Sequence, residues 1–432
     1  MKAAMGSRLD AAGIALGAAM LGFLTLFPVG GWIACLGIAL AVAMIAGRRG
    51  ANLHRIPAPW TLVLLVAMSL VSLTITPLPA VGREQLWLLW GSIGTFCIIC
   101  LWARTRERIV WVAAGLAAVG LALALASPFA VNWIIERKTF VPPAIYESFP
   151  RLVSDPIHPN VMASLMVGLL FVPLAWTVVP PLFAAKPRWL SRAMSARAVW
   201  GVAAFLPALV LFLTKSRGGY AAAAIGFALI TLLMTRRRRW FLWGLLGVLT
   251  IGLALVLWAP DYVPLTDIGD VEALSGDTFA FRQRVWHYAL LLIGDFPFTG
   301  VGMRAFNEVL PILYGYHIVR DPGAHNLFLQ IALDLGIPGL LAFAVLVGIV
   351  LFRAVRAWSS LRQAGDPLWV LAAGGIAGVV ATLAQGLVDI AAWGTRGCFV
   401  LWCLLGLLAA LSTYSRNSAD AGDTEGSPRT LQ

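Results

Sequence analysis

The sequence predicts an all-α polytopic membrane protein with about twelve transmembrane helices. Of its 432 residues, 60% are hydrophobic and only 12% are charged, whereas a soluble domain carries about 25% charged residues. The mean hydropathy is +0.85. A helix needs about 20 mostly apolar residues to cross a bilayer, and the chain has room for many such helices. This composition excludes an ordinary soluble enzyme.

Twelve segments are long and apolar enough to be spans. They lie at about residues 11–28, 30–47, 60–77, 85–103, 109–128, 159–180, 198–214, 218–235, 240–259, 337–353, 368–388 and 395–413. The second span follows the first after only the turn "PVGG", so we interpret the first as a span rather than a cleaved signal peptide. We expect one integral membrane domain over residues 1–415 and a disordered cytoplasmic tail over residues 416–432, which are polar and rich in small residues.

The basic residues orient this arrangement of spans. With the N-terminus in the cytoplasm, both termini are cytoplasmic, and 21 of the 32 Lys and Arg residues fall in cytoplasmic segments. Every cytoplasmic turn then follows the positive-inside rule. The net charge of +12 therefore reflects topology, and we expect no nucleic-acid partner.

Two connections on the outer side are long, at about residues 129–158 and 260–336. Loops of such length are uncommon unless they carry structure and function. The second contains a predicted short helix over residues 279–294. Its apolar side, which includes Val285, Ala289 and Leu290, predicts an amphipathic helix that lies on the membrane surface.

Eleven basic residues remain on the outer side, against the general rule. Charged groups at membrane depth are costly and mark functional sites. Lys215 and Arg217 lie in "LTKSRGGYAA", between two spans; Lys215 has an alternative interpretation as a residue that snorkels to the interface. Two glycines follow Arg217 and allow close approach of the backbone to a ligand, and the planar guanidinium suits phosphate oxygens.

Arg282 and Arg284 lie two residues apart in the predicted loop helix. That spacing places them about 200° apart around a regular helix. Only one of the two can therefore face a given site, and the sequence alone does not decide which.

Four stretches resemble, in this order, the O-antigen ligase superfamily. They are "HPNVMASLM" (158–166), "LTKSRGGYAA" (213–222), "RQRVWHYALLLIGDFPFTGVGMRAF" (282–306) and "GAHNLFLQIALDLGIPGLL" (323–341). The resemblance implies a GT-C-like arrangement of helices and a donor glycan on undecaprenyl diphosphate, used at the periplasmic face without nucleotide or metal. It also implies catalytic roles for Arg217, Arg282 and His325, with Arg284 as a further basic residue inside the second arginine motif.

The chemistry of such a transfer agrees with these residues. Arginines stabilise charge that develops on a leaving pyrophosphate, and a histidine of near-neutral pKa suits removal of a proton from a sugar hydroxyl. We expect no cofactor and no metal, because the outer side shows neither a carboxylate pair of the glycosidase type nor an acidic D-x-D motif. We expect substrate contacts from residues in or near these motifs: Arg284, Lys215, Ser216, Asn326, His158, Asn160 and His317. His158 would line the entrance of the site.

Three interpretations of His325 stay open. It is either the base or a residue that orients the acceptor, and a loop histidine bonded to the backbone is the third interpretation. His317 is the main competitor for the role of base. His54 and His287 are interpreted as structural.

The leading functional hypothesis is a ligase in the bacterial inner membrane that transfers O-antigen to lipid A–core, with lipid-linked donor, lipid A–core and membrane lipids as partners. An O-antigen polymerase and a protein O-oligosaccharyltransferase of the same superfamily are the nearest alternatives. A transporter or flippase is more distant, because the sequence shows no repeat symmetry and places its polar cluster at one edge rather than at the midplane.

Overall fold

The computed structural model describes residues 56–133, 143–149, 156–177, 196–235, 279–316, 323–395 and 397–425. Within these ranges the chain is helical and forms no strand; Val131 and Ile157 make an isolated parallel bridge. The predicted spans at 11–28, 30–47 and 240–259 lie outside the described residues, as does His317.

The helices are numbered here in chain order over the described ranges. They are α1 (Pro59–Ile75), α2 (Pro79–Trp102), α3 (Arg106–Ala130), α4 (Pro143–Glu147), α5 (Pro159–Trp176), α6 (Ala196–Leu213), α7 (Arg217–Met234), α8 (Phe279–Asp295), α9 (Phe306–Tyr314), α10 (Leu327–Gln363), α11 (Trp369–Gln385) and α12 (Cys398–Glu425).

Six of these helices are long and apolar enough to cross a membrane: α2, α3, α5, α7, α10 and α12. Helices α1, α6 and α11 are shorter and also apolar. All nine coincide with segments that the sequence predicted as spans, in agreement with the predicted class of all-α polytopic membrane protein.

Helices α5 and α12 form the centre of the bundle. The apolar stretch of α5 is 83% buried and that of α12 is 89% buried. Helix α5 packs against α3, α6, α7 and α11, and α12 packs against α2, α10 and α11. Large apolar side chains such as Val63 and Phe205 are exposed on the surface of the helix bundle. Contact with lipid hydrocarbon suits such side chains.

Helix α10 is broken at Gly336, next to the residue where the sequence placed the start of a span. Gly336 has φ +70°, and a Cβ there would collide with the carbonyl oxygen of Phe298, so glycine is required. The Ile337 N–H donates to the Pro297 carbonyl at 2.7 Å. The segment before the break is therefore packed against the loop that follows α8.

Helix α8 agrees with the predicted loop helix at 279–294. Val285, Ala289 and Leu292 are fully buried, and their spacing places them on one side of the helix. Leu290, on the predicted apolar side, is 59% exposed. An exposed apolar residue is compatible with a helix that lies on the membrane surface.

Helix α12 continues to Glu425, beyond residue 416, where the sequence predicted the start of a disordered tail. The segment 416–425 contains no proline to end the helix. The cytoplasmic tail over residues 416–432 stays a prediction, and residues 426–432 lie outside the described part of the chain.

Candidate active site

The site is built around the turn of residues 386–391, between α11 and α12, called the 386–391 turn below. The start of α10 is bonded to it, because the Leu327 N–H donates to the Gly386 carbonyl at 2.6 Å. The Asn326 side-chain amide donates to the Leu387 carbonyl at 3.0 Å. These two bonds hold the residues just before α10 against the turn.

His325 precedes Asn326 and has a strained backbone. Its φ is +47°, in the left-handed region that a residue with a side chain rarely adopts. The Asn326 Oδ1 caps α10 by accepting from the Phe328 and Leu329 N–H groups at 3.0 and 3.1 Å. The His325 ring lies 5.8 Å from the Phe281 ring of α8, edge to face. Such strain persists only where the surroundings fix it, and it concentrates at functional sites.

Asp389 lies in the turn itself and was missed by the sequence analysis. It is 9% exposed, and its Oδ1 accepts from the Ile390 and Ala391 N–H groups at 2.7 and 3.0 Å. Burial raises the pKa of Asp389 from its ordinary value, and the positive charges of His325 and Arg282 oppose this rise. The structure thus brings a carboxylate, an imidazole and a guanidinium together. The signal in the sequence was an acidic residue directly after the predicted span at 368–388.

The start of α7, which carries Arg217, lies against the same turn. Ser216 caps this helix, because its Oγ accepts from the Gly219 N–H at 3.2 Å, and the exposed Arg217 is its first residue. The next residue, Gly218, lies so close to the turn that a Cβ would come within 2.8 Å of the Val388 Cγ2. Arg217, Arg282 and His325, which were predicted as catalytic, therefore lie on segments that meet at one turn.

Two predicted substrate-binding residues lie at the start of α5. The His158 Nδ1 accepts from the Asn160 N–H at 3.2 Å and caps the helix. The Asn160 carbonyl accepts from the Gln385 Nε2 at 3.3 Å, next to the 386–391 turn. His158 also lines a cavity of about 240 Å³.

Lys215 is buried rather than extended toward the surface. It is 8% exposed, and its Nζ lies 4.5 Å from the centroid of the Tyr146 ring. Its φ is +54°. The snorkelling interpretation of Lys215 is therefore wrong, because the ammonium is directed to an aromatic face.

Arg284 is two residues beyond Arg282 on α8, and its position differs from that of Arg282. The electrostatic effect on Asp389 comes from Arg282. Of the two arginines, this effect favours Arg282 as the one that faces the turn. His287 lies on the same helix and is exposed.

A second buried carboxylate, Asp334, lies near the site and accepts hydrogen bonds from several of the surrounding side chains. It is fully buried and accepts from the Gln85 and Gln330 amides at 2.9 Å and from the Trp393 indole at 3.0 Å. The Gln330 Oε1 in turn accepts from the Ala324 N–H at 2.8 Å. We call this set of polar groups around Asp334 the Asp334 network. Through Gln330 it fixes the backbone directly before His325.

The fold and this cluster define a multi-pass membrane protein with a site of mixed charge, built where several helices begin and end. Residues 202–344 match the family model of O-antigen ligase. The match contains three of the four stretches, at 213–222, 282–306 and 323–341, and supports assignment to the O-antigen ligase family, whose ligases and polymerases act in O-antigen pathways. It includes Arg217, Arg282 and His325. No curated protein is significantly similar to the chain.

Proposed function

We propose that the protein is an O-antigen ligase that transfers O-antigen from undecaprenyl diphosphate to lipid A–core, without a metal ion. The observation that carries this proposal is the convergence of Arg217, Arg282 and His325 on the 386–391 turn, within the segment that matches the family. A polymerase would use the same donor chemistry with a different acceptor.

The arginines would act on the leaving group. Transfer breaks the bond between the anomeric carbon and a diphosphate oxygen, and the electron pair stays on that oxygen. Because diphosphate is already a stable anion, the reaction needs stabilisation of the developing charge rather than a strong acid. Guanidinium groups of Arg217 and Arg282 at a partly dehydrated membrane edge supply this stabilisation.

His325 would act on the acceptor. The oxygen of an acceptor hydroxyl forms the new bond to the anomeric carbon, and its proton passes to the imidazole. The imidazolium that results lies beside Asp389, whose carboxylate stabilises the positive charge. In this arrangement Asp389 positions and stabilises His325, and it does not contact the sugar.

The proposed topology places this chemistry in the periplasm. We propose twelve spans in a GT-C-like arrangement, both termini in the cytoplasm, and the site on the outer face of the inner membrane, in agreement with the distribution of basic residues. A reporter that is active only in the periplasm should be active when fused after residue 300 and silent when fused after residue 238. The reverse pattern would contradict the proposal.

Deletion of the gene followed by lipopolysaccharide electrophoresis tests the function. Loss of a ligase leaves core without O-antigen, and the lipid-linked polymer accumulates. Loss of a polymerase leaves core with one repeat unit, and loss of a protein oligosaccharyltransferase leaves lipopolysaccharide intact. Complementation with the wild-type gene should restore the ladder, whereas the His325→Ala gene, expressed at the same level, should not.

A further inference from the structure

A cavity of about 240 Å³ lies near the site, between the start of α2, the start of α5 and the turn before α12. Its polar lining includes Glu84, Gln85, His158 and Arg304, and its apolar wall includes Val161. Neither the family motifs nor the proposed chemistry assigns a role to Glu84, Gln85 or Arg304.

Gln85 lines this cavity and has a side-chain hydrogen-bond acceptor that no described residue satisfies. Its side chain is 4% exposed, and its Nε2 donates to the Asp334 Oδ2 at 2.9 Å. This bond fixes the orientation of the amide, because a carboxylate oxygen accepts from the nitrogen and not from the oxygen of an amide. The Gln85 Oε1 is buried and has no partner among the described residues. A buried acceptor without a donor is unfavourable, and a ligand hydroxyl would satisfy it.

Arg304 brings a donor to the same cavity on a strained backbone. Its φ is +59°, and its backbone N–H donates to Asp334. The strained turn is therefore anchored on one side by the Asp334 network, while the residue lines the cavity on the other. Backbone strain at a cavity wall is typical of positions that hold a ligand group.

The lining has the chemistry of a carbohydrate site. The amide oxygen and the carboxylate need hydrogen-bond donors, and the guanidinium needs acceptors. Sugar hydroxyls provide both. The C–H faces of a sugar ring pack against apolar side chains such as Val161. The charges of Arg304 and Glu84 offset one another, so the lining favours a neutral polar ligand over a phosphate. An acyl chain would leave these polar groups unpaired.

We propose that this cavity binds one monosaccharide unit of a substrate glycan, with the Gln85 Oε1 accepting a hydrogen bond from a sugar hydroxyl. The proposal rests on the proposed function and adds a subsite to it. The glycan is either that of the lipid A–core acceptor or that of the lipid-linked donor, because both present sugar hydroxyls. The Asp334 network, which includes Gln85 and holds Ala324 beside His325, connects this subsite to the reacting centre.

Two variants test the subsite in the purified full-length protein. Val161→Phe fills part of the cavity, and Glu84→Gln removes an exposed charge from its rim without changing the size of the side chain. Val63→Phe and Glu107→Gln make the same changes at exposed positions outside the cavity lining and serve as matched controls. Transfer from lipid-linked O-antigen to lipid A–core is measured with each substrate varied separately.

We expect Val161→Phe to raise the KM for one substrate by about tenfold or more, with a smaller change in kcat and a normal melting temperature. Glu84→Gln should raise the same KM by a smaller factor, and the controls should behave as wild type. A rise in the acceptor KM identifies lipid A–core as the source of the sugar, and a rise in the donor KM identifies the lipid-linked glycan.

Unchanged KM values for both substrates in Val161→Phe and Glu84→Gln would overturn the subsite while leaving the ligase proposal intact. If Val161→Phe fails to fold, the exposed Glu84→Gln decides by the same criterion. Absence of transfer by the wild-type protein would instead refute the proposed function, and the subsite proposal with it.

Discussion

Asp334 and Asp389 are both buried carboxylates near His325, and their surroundings differ in kind. The side chains that donate to Asp334 belong to Gln85, Gln330 and Trp393, which carry no charge. Asp389 accepts two backbone N–H groups and lies beside the charges of His325 and Arg282. A carboxylate that accepts hydrogen bonds from fixed neutral groups stabilises the packing around it. A carboxylate beside charged groups has a pKa that changes when a neighbour is protonated or an anion binds. We therefore expect substitutions around Asp334 to affect stability and those around Asp389 to affect catalysis.

The largest effect on catalysis should come from His325. His325→Ala removes the proposed base, and such a loss costs about 10²–10⁴-fold in rate. Transfer is measured with purified protein at saturating donor, and His287→Ala, an exposed change on α8, is the control. His325→Gln keeps a hydrogen-bonding group but not a base. Near-normal rates in the Gln variant would leave His325 as an orienting residue, and normal rates in both would make His317 the next candidate.

Asp334→Ala should have the largest effect on stability. It leaves the buried donors of Gln85, Gln330 and Trp393 without an acceptor, which costs about 3 kcal/mol or more in total. The melting temperature in detergent should fall clearly, and Asp389→Asn should change it much less. If Asp334→Ala were as stable as wild type, the proposed stabilising role of Asp334 would be wrong.

Arginine variants test which guanidinium group takes part in catalysis. Arg282→Ala should lower the transfer rate by about 10²-fold, the scale of losing one group that stabilises transition-state charge, and Arg284→Ala should lower it less. Arg217→Lys keeps the charge but loses the planar fork, so we expect substantial loss there as well. Membrane insertion and protein level are the controls. Equal damage at 282 and 284 would contradict the assignment to Arg282.

Asp389→Asn should lower the rate by about tenfold and also change its pH dependence. A neighbouring anion favours protonated imidazole; without it, neutral His325 persists to lower pH, and the acid limb of the profile shifts to lower pH. In wild type, burial raises the pKa of Asp389, so its charge is lost at a higher pH than for an ordinary carboxyl group. A reduced rate with an unshifted profile would make Asp389 merely structural.

Chelation of metal ions should have no effect. The described residues contain no group of three or more potential metal ligands. The carboxylates of Asp334 and Asp389 both accept hydrogen bonds. Transfer should proceed at the same rate in excess EDTA, without nucleotide. Loss of activity that a divalent cation restores would mean that one of the two carboxylates serves a metal instead.

The spans were predictable because burial in lipid leaves a signal within each segment. Hydropathy alone located nine helices that the structure describes, including the start of the membrane segment of α10 at the break beside Gly336. The ends of the helices were less predictable, because α12 continues to Glu425 while the predicted span ended at 413. Which side of a helix packs inward depends on neighbours that a local pattern does not contain.

The candidate site was predictable only where motifs carried it. Arg217, Arg282 and His325 stand in recognisable stretches, but Asp389 stands alone at the end of a span. Gln85 and Asp334 are 249 residues apart, and a local sequence pattern cannot predict a hydrogen bond between such distant residues. Ser216 and Asn326 were predicted to bind substrate, yet their side-chain oxygens cap α7 and α10. A cap and a ligand contact use the same residue types, so their role in binding stays a prediction.

The Asp334 network also has a consequence for biosynthesis. Its members enter the membrane at different times during translation, since Gln85 precedes Asp334 by 249 residues and Trp393 follows it by 59. Until the region of Trp393 has emerged from the ribosome, the carboxylate lacks one of its donors. A truncated chain that ends before that point keeps a buried carboxylate with an incomplete set of donors, which is unfavourable inside a membrane protein. The same carboxylate thus ties completion of the reacting centre to completion of the polypeptide.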